Sequence, residues 1–213
     1  MRTESEVHLV KPVDNSIVVA KLVINVTIDE VDEAVGLWSP YLDQQIQAGL
    51  TRPQHAHWEW DKKARRVKGN ESCTICGIMV ESEMQALMLW EDLFGRAKHP
   101  DQKENPLVLV EFLAVAPWND RDIVPTPSYR GCGTLLLKEG VEHSMFLGYR
   151  GRVGLHSLPQ AEPFYREKSG MIDLGKDPDP EHQGLRYFEF TKERAQIFLS
   201  TIKGKGGNHG TSV

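Results

Sequence analysis

Residues 107–116, LVLVEFLAVA, and residues 128–134, SYRGCGT, with a proline-rich loop between them, decide how this chain is read. The first run is almost wholly aliphatic and bounded by Pro106 and Pro117, which predicts a strand at the centre of a sheet. The second opens a helix over residues 133–147, where Leu137, Val141 and Met145 recur at spacing four on one face. Gly131 and Gly133 remove side chains where the backbone must turn and approach a ligand closely. The first N–H groups of such a helix lack intrahelical acceptors, and the helix dipole adds partial positive charge there. That combination suits phosphate or pyrophosphate, with Arg130 adding a charge-assisted contact. A plain glycine-rich turn at a helix start has the same pattern.

Around this stretch the pattern is that of a mixed α/β domain. The β-branched run 16–27 predicts a strand, after a polar lead-in over residues 1–15. Thr27-Ile-Asp-Glu30 has the form of a capping box opening a helix through residue 47, which Pro40 either interrupts or restarts. Residues 51–71 read as a basic-aromatic connection, and 72–80 and 83–90 as two strands turning at Glu81-Ser82. After the central helix come a short strand at 152–158, a short helix at 161–168 closed by Gly170, a strand at 185–191 and a helix at 192–202. Residues 203–213, glycine-rich and polar, read as a disordered tail.

Composition sets the outer limits. The 213 residues are 40% hydrophobic and 26% charged, the balance of an ordinary globular domain. The net charge of −5 gives no electrostatic reason to expect nucleic-acid or anionic-membrane binding, and weakly favours cationic small partners. No apolar run approaches the length of a membrane-spanning helix, and the N-terminus lacks a secretory-signal layout. Three cysteines are too few for a disulfide framework, so a reducing cytoplasm is the expected location.

Two familiar phosphate loops do not fit. No Lys follows the glycines as a Walker loop requires, and Leu136 stands where a dinucleotide fingerprint needs its third glycine. What the chain does resemble is the GNAT acetyltransferase superfamily. The resemblance rests on LAVAP at 113–117, YRGCGTLLL at 129–137, the strand at 152–158 and QAEPFYREKSGM at 160–171. It covers residues 70–191 by motif and 16–70 by element order only. The family signature [QR]-x-x-G-x-[GA] is met at Gly131 and Gly133, while Ser128 replaces the usual Gln or Arg and the 117–128 loop is longer than usual.

The resemblance implies a single GNAT-like domain over residues 16–202, with a mixed central sheet flanked by helices. It implies acetyl-CoA as cosubstrate, with the backbone of Leu113, Ala114 and Val115 pairing with the pantetheine arm. The N–H groups of Arg130, Gly131, Cys132, Gly133 and Thr134 would hold the pyrophosphate. The family moves acetyl directly from the thioester to a primary amine. An amine of pKa about 10.4 is neutral in only about one part in 2,500 at pH 7, equivalent to roughly 4.6 kcal/mol, so a base or desolvation must contribute. Glu111, on the same strand face as Leu113 and Val115, is the candidate base, with His156 second; a salt-bridged structural carboxylate is the alternative. By resemblance Tyr165 is the candidate acid for the departing thiolate, although Leu158 replaces the family's Asn and the spacing to Gly170 is long; a half-buried helix aromatic is its alternative.

Other motifs are set aside. Cys73-x-x-Cys76 lies in a strand-like run without a second ligand pair, and no metal set is read from spacing. His55-x-His57 beside Trp58 and Trp60 reads as solvent-facing or substrate-lining, and Lys62-Lys63 with Arg65-Arg66 as a solvated charge run. Cys132 has no accompanying base for a nucleophilic role. The expected partners are acetyl-CoA and an amine, with a homodimer left open. A non-catalytic acyl-CoA-binding module on the same fold is the competing expectation.

Overall fold

The computed structural model describes residues 1–206. Eight strands are hydrogen-bonded in the order β1-β2-β3-β4-β5-β6-β8-β7, a mixed sheet accompanied by four α-helices. The chain divides into two compact units, Met1–Glu91 with Glu111–Leu137, and Asp92–Val110 with Lys138 onward.

In the first unit, β1 (Thr3–Val10), β2 (Ile17–Ile24), β3 (Cys73–Val80) and β4 (Glu83–Glu91) form an antiparallel meander. The capping box forms as expected: the Thr27 hydroxyl accepts from Glu30 N–H while the Glu30 carboxylate accepts from Thr27 N–H. It starts α1 (Ile28–Gln47), which runs through Pro40 as one helix. Trp38 fixes that helix to the meander, its indole N–H donating to the Met84 carbonyl at 3.0 Å. Val31, Ala34, Trp38, Trp60, Ala64, Leu87, Leu89 and Ala114 belong to one buried cluster.

Two expectations for this unit are corrected. Residues 3–10 are strand β1 rather than a lead-in; only Leu9 in it is buried on a mixed-charge edge, so the apolar signal is weak. Residues 51–71 contain α2 (Trp60–Val67), whose Trp60 and Ala64 are buried one turn apart. Lys62, Arg65 and Arg66 are exposed, as expected of a solvated charge run, and make ion pairs at the surface. Arg65 makes a two-pronged bond to Asp32 at 3.0 and 2.7 Å, Lys62 pairs with Glu59, and the Lys63 ammonium lies 3.4 Å from the Phe112 ring centre.

The second unit holds the start of β5 (Val108–Val115), which pairs in parallel with β6 (Val153–Ser157) over Val108–Val110. β8 (Arg186–Phe190) then pairs antiparallel with both β6 and β7 (Ile172–Lys176). The sequence reading did not anticipate β7, a short edge strand broken by Gly175 at φ 86°. The short helix near residue 165 is a π-turn over Phe164–Lys168. The last helix, α4 (Lys192–Gly206), continues into the expected tail, of which residues 207–213 lie outside the described residues. No helix among the described residues is long and apolar enough to cross a membrane.

Candidate active site

The glycine turn and residues 111–115 of the strand feeding it lie in the first unit. β5 ends at Val115 and the chain makes a single 3₁₀ turn, Pro117–Asn119. It then returns to α3 (Cys132–Phe146). Three consecutive N–H groups are used in holding this return. Ser128 N–H donates to the Trp118 carbonyl at 2.9 Å, Tyr129 N–H to Asn119 Oδ1 at 2.9 Å, and Arg130 N–H to the Val10 carbonyl at 2.9 Å. At Gly131 the backbone turns with φ 105°, a conformation that costs an L side chain of order 1–3 kcal/mol. The first helical bond of α3 runs from Leu135 N–H to the Gly131 carbonyl, so the N–H groups of Cys132, Gly133 and Thr134 precede the helical ladder.

This refines the expected cofactor set. The Arg130 N–H, expected as a donor to the pyrophosphate, already serves the Val10 carbonyl, and its side chain is exposed. Gly131, Cys132, Gly133 and Thr134 keep the geometry of a helix-start anion site, and the end of β5 leads into them. The Cys132 side chain is buried, and burial pushes its thiol up to about 12, which leaves it protonated at neutral pH and without nucleophilic character.

The loop after β5 is anchored by groups that are far apart in sequence. Buried Gln85 on β4 accepts from the Trp118 indole at 2.8 Å and from the Asn119 amide at 2.9 Å. Asn119 passes the constraint on to Tyr129. Asn119→Ala leaves the Tyr129 N–H without its acceptor, while Gln85 Oε1 keeps the Trp118 indole. The expected cost is about 1–3 kcal/mol, read as a lowered thermal midpoint; an unchanged midpoint would show that the loop is held otherwise.

Beside this loop, His55 Nε2 stands 3.8 Å from Asp120 Oδ2, and the His55 ring packs edge-on to Trp58. Burial lowers the His55 pKa and raises that of Asp120, so both are biased toward their neutral forms. His55 and Trp58 stand out in the sequence, whereas Asp120 meets His55 only through tertiary structure.

Among the candidate catalytic groups, Glu111 is half-buried on β5 and receives the Arg66 guanidinium at 2.9 Å. The ion pair is the structural alternative that the sequence left open for this carboxylate. Tyr165 belongs to the second unit, buried, with its ring 5.8 Å from that of Phe188. Burial pushes its phenol well above the usual tyrosine range, which keeps the proton on oxygen. His156, also in the second unit, is bound to Asp177 at 2.7 Å.

No family model matches the sequence, and no curated protein matches it by sequence. Solved structures do match. The GNAT domain of a Streptomyces lividans protein, PAT, superposes with a TM-score of 0.53 at 16% identity, over 88% of this chain and 96% of that one. The chain has the GNAT fold. The aminoglycoside acetyltransferase AAC(6')-Ib, solved with coenzyme A and kanamycin, gives 0.50 at 16% identity, over 83% and 98%. An uncharacterized Bacillus halodurans protein gives 0.52 at 10% identity, over 94% and 97%. In this GNAT-fold chain, β5, α3 and β6 form the parallel strand–helix–strand unit that carries the glycine turn.

Proposed function

We propose that the chain is a cytoplasmic N-acetyltransferase that moves acetyl from acetyl-CoA to a primary amine. The observation that carries this reading is the glycine-capped start of α3. There the N–H groups of Cys132–Thr134 precede the helical ladder while those of residues 128–130 are used in bracing the loop. A pyrophosphate fits donors of that kind, and a fold neighbour binds coenzyme A. In this reading the backbone of Leu113, Ala114 and Val115 takes the pantetheine arm, Glu111 is the base that unloads the ammonium, and Tyr165 the acid for the thiolate. Arg66 orients the Glu111 carboxylate through their 2.9 Å ion pair.

Acetyl-CoA at about one hundred times its dissociation constant should add about 2.7 kcal/mol of stability. For a chain of this size that raises the thermal midpoint by about 5–10 °C; an unmoved midpoint would count against the cofactor and therefore the function. Tyr165→Phe should lower turnover, followed as thiol release with an amine panel, and leave that thermal shift intact. Unchanged turnover would remove Tyr165 from the acid role.

A further inference from the structure

We propose that the second unit carries a divalent-metal site of the zinc type, formed by His156, Asp177 and His182. It is independent of acetyl-CoA. Strand register assembles it: on β8, Tyr187 lies opposite His156 of β6, and Arg186 lies opposite Lys176, the last residue of β7. Asp177 follows directly, its N–H donating to the Leu185 carbonyl, and a 3₁₀ turn at Pro180–His182 brings His182 back over it.

His156 Nε2 lies 2.7 Å from Asp177 Oδ2, and His182 Nε2 lies 3.9 Å from the same oxygen. All three ligand atoms fall within 4.8 Å of one another. Zinc bonds to nitrogen and oxygen of about 2.0–2.2 Å in a tetrahedron set neighbouring ligand atoms roughly 3.3 Å apart, between the two separations observed. The two imidazoles stack at 3.7 Å between centres, so both present Nε2 to one carboxylate. Coordination requires the His182 ring to swing out of this stack so that the two Nε2 lone pairs converge, and His182 sits on a partly exposed turn.

The other carboxylate oxygen, Asp177 Oδ1, accepts the Asp179 N–H at 3.0 Å, which fixes the carboxylate on the turn. The Lys98 ammonium rests on Asp177 Oδ2, so it is the competitor that a metal displaces. Its side chain is 44% exposed and can leave without opening the fold. Two imidazoles and one carboxylate are a zinc donor set with a fourth position for water. The bound ion would tie the segment after β7 to β6.

The test is calorimetric titration of zinc into the chelator-treated full chain, repeated with cobalt for its absorption spectrum. One equivalent of zinc is expected. His182→Ala should weaken binding at least tenfold, on the order of what loss of even an outer-shell partner costs, with the unliganded thermal midpoint unchanged. Lys98→Met should tighten it by removing the competing charge. The cobalt spectrum should lack thiolate charge transfer, which separates this site from one at Cys73. Absence of one-equivalent uptake, a thiolate band, or an affinity indifferent to both substitutions would overturn the assignment. Should His182→Ala fail to fold, the Lys98→Met titration decides alone.

Discussion

Gly131→Glu abolishes acetyl-CoA binding, with an expected loss of at least about 100-fold, or about 2.7 kcal/mol. Two effects add. The backbone at φ 105° disfavours any side chain there, and a carboxylate would sit at the start of α3, where the pyrophosphate is proposed to lie. The helix dipole makes matters worse for the ligand, since the new carboxylate would itself be attracted to those N–H groups. Gly131→Ala separates the causes: an added Cβ meets only Leu9 Cδ2 at 3.6 Å, an ordinary contact, so that variant carries the backbone strain without the charge. It should lose part of the stability of the free protein and retain most of the affinity. Equal affinities for the Glu and Ala variants in a calorimetric titration would contradict an anion site at this turn.

The largest effect on stability is expected at Glu189 on β8, a fully buried carboxylate. Its oxygens accept from the Lys98 N–H at 2.6 Å, the His99 N–H at 3.2 Å and the Gln102 side-chain amide at 2.6 Å, holding the connection before β5. Glu189→Ala strands the Lys98 and His99 N–H groups beside a cavity and leaves the Gln102 amide only its bond to the Phe190 carbonyl, a change of about 3–5 kcal/mol. At roughly 2–4 °C per kcal/mol for a chain of this length, the thermal midpoint falls by about 6–20 °C. Glu189→Gln keeps one acceptor oxygen and should fall less. A loss below about 1 kcal/mol for the Ala variant would mean that these donors find other partners.

The centre of the fold was legible because its strands and helices have strong local signals. The run 107–116 is aliphatic because its neighbours cover it, and Thr27 with Glu30 states a helix start within four residues. The overlooked strands, β1 and β7, are the two edges of the sheet, where half the backbone faces solvent and the sequence has little apolar patterning to show. Helix α2 did leave a signal, Trp60, Ala64 and Val67 at helical spacing, masked by five intervening charges. The site divides in the same way. The glycines are local and could be read. The bond from Arg130 N–H to Val10, the anchoring of Asn119 on Gln85, the pairing of Glu111 with Arg66 and the meeting of His156 with Asp177 and His182 join residues remote in sequence, which no spacing rule predicts.

The most direct test of acetyl transfer is to incubate the full chain with isotopically labelled acetyl-CoA and a panel of primary amines, and to follow labelled amide and free coenzyme A together. The expected result is equal amounts of N-acetylated amine and coenzyme A, formed by the wild-type chain and not by Gly131→Glu. Acetyl-CoA that binds to the wild-type chain but stays intact with every amine would contradict the enzyme and leave an acyl-CoA-binding module in its place.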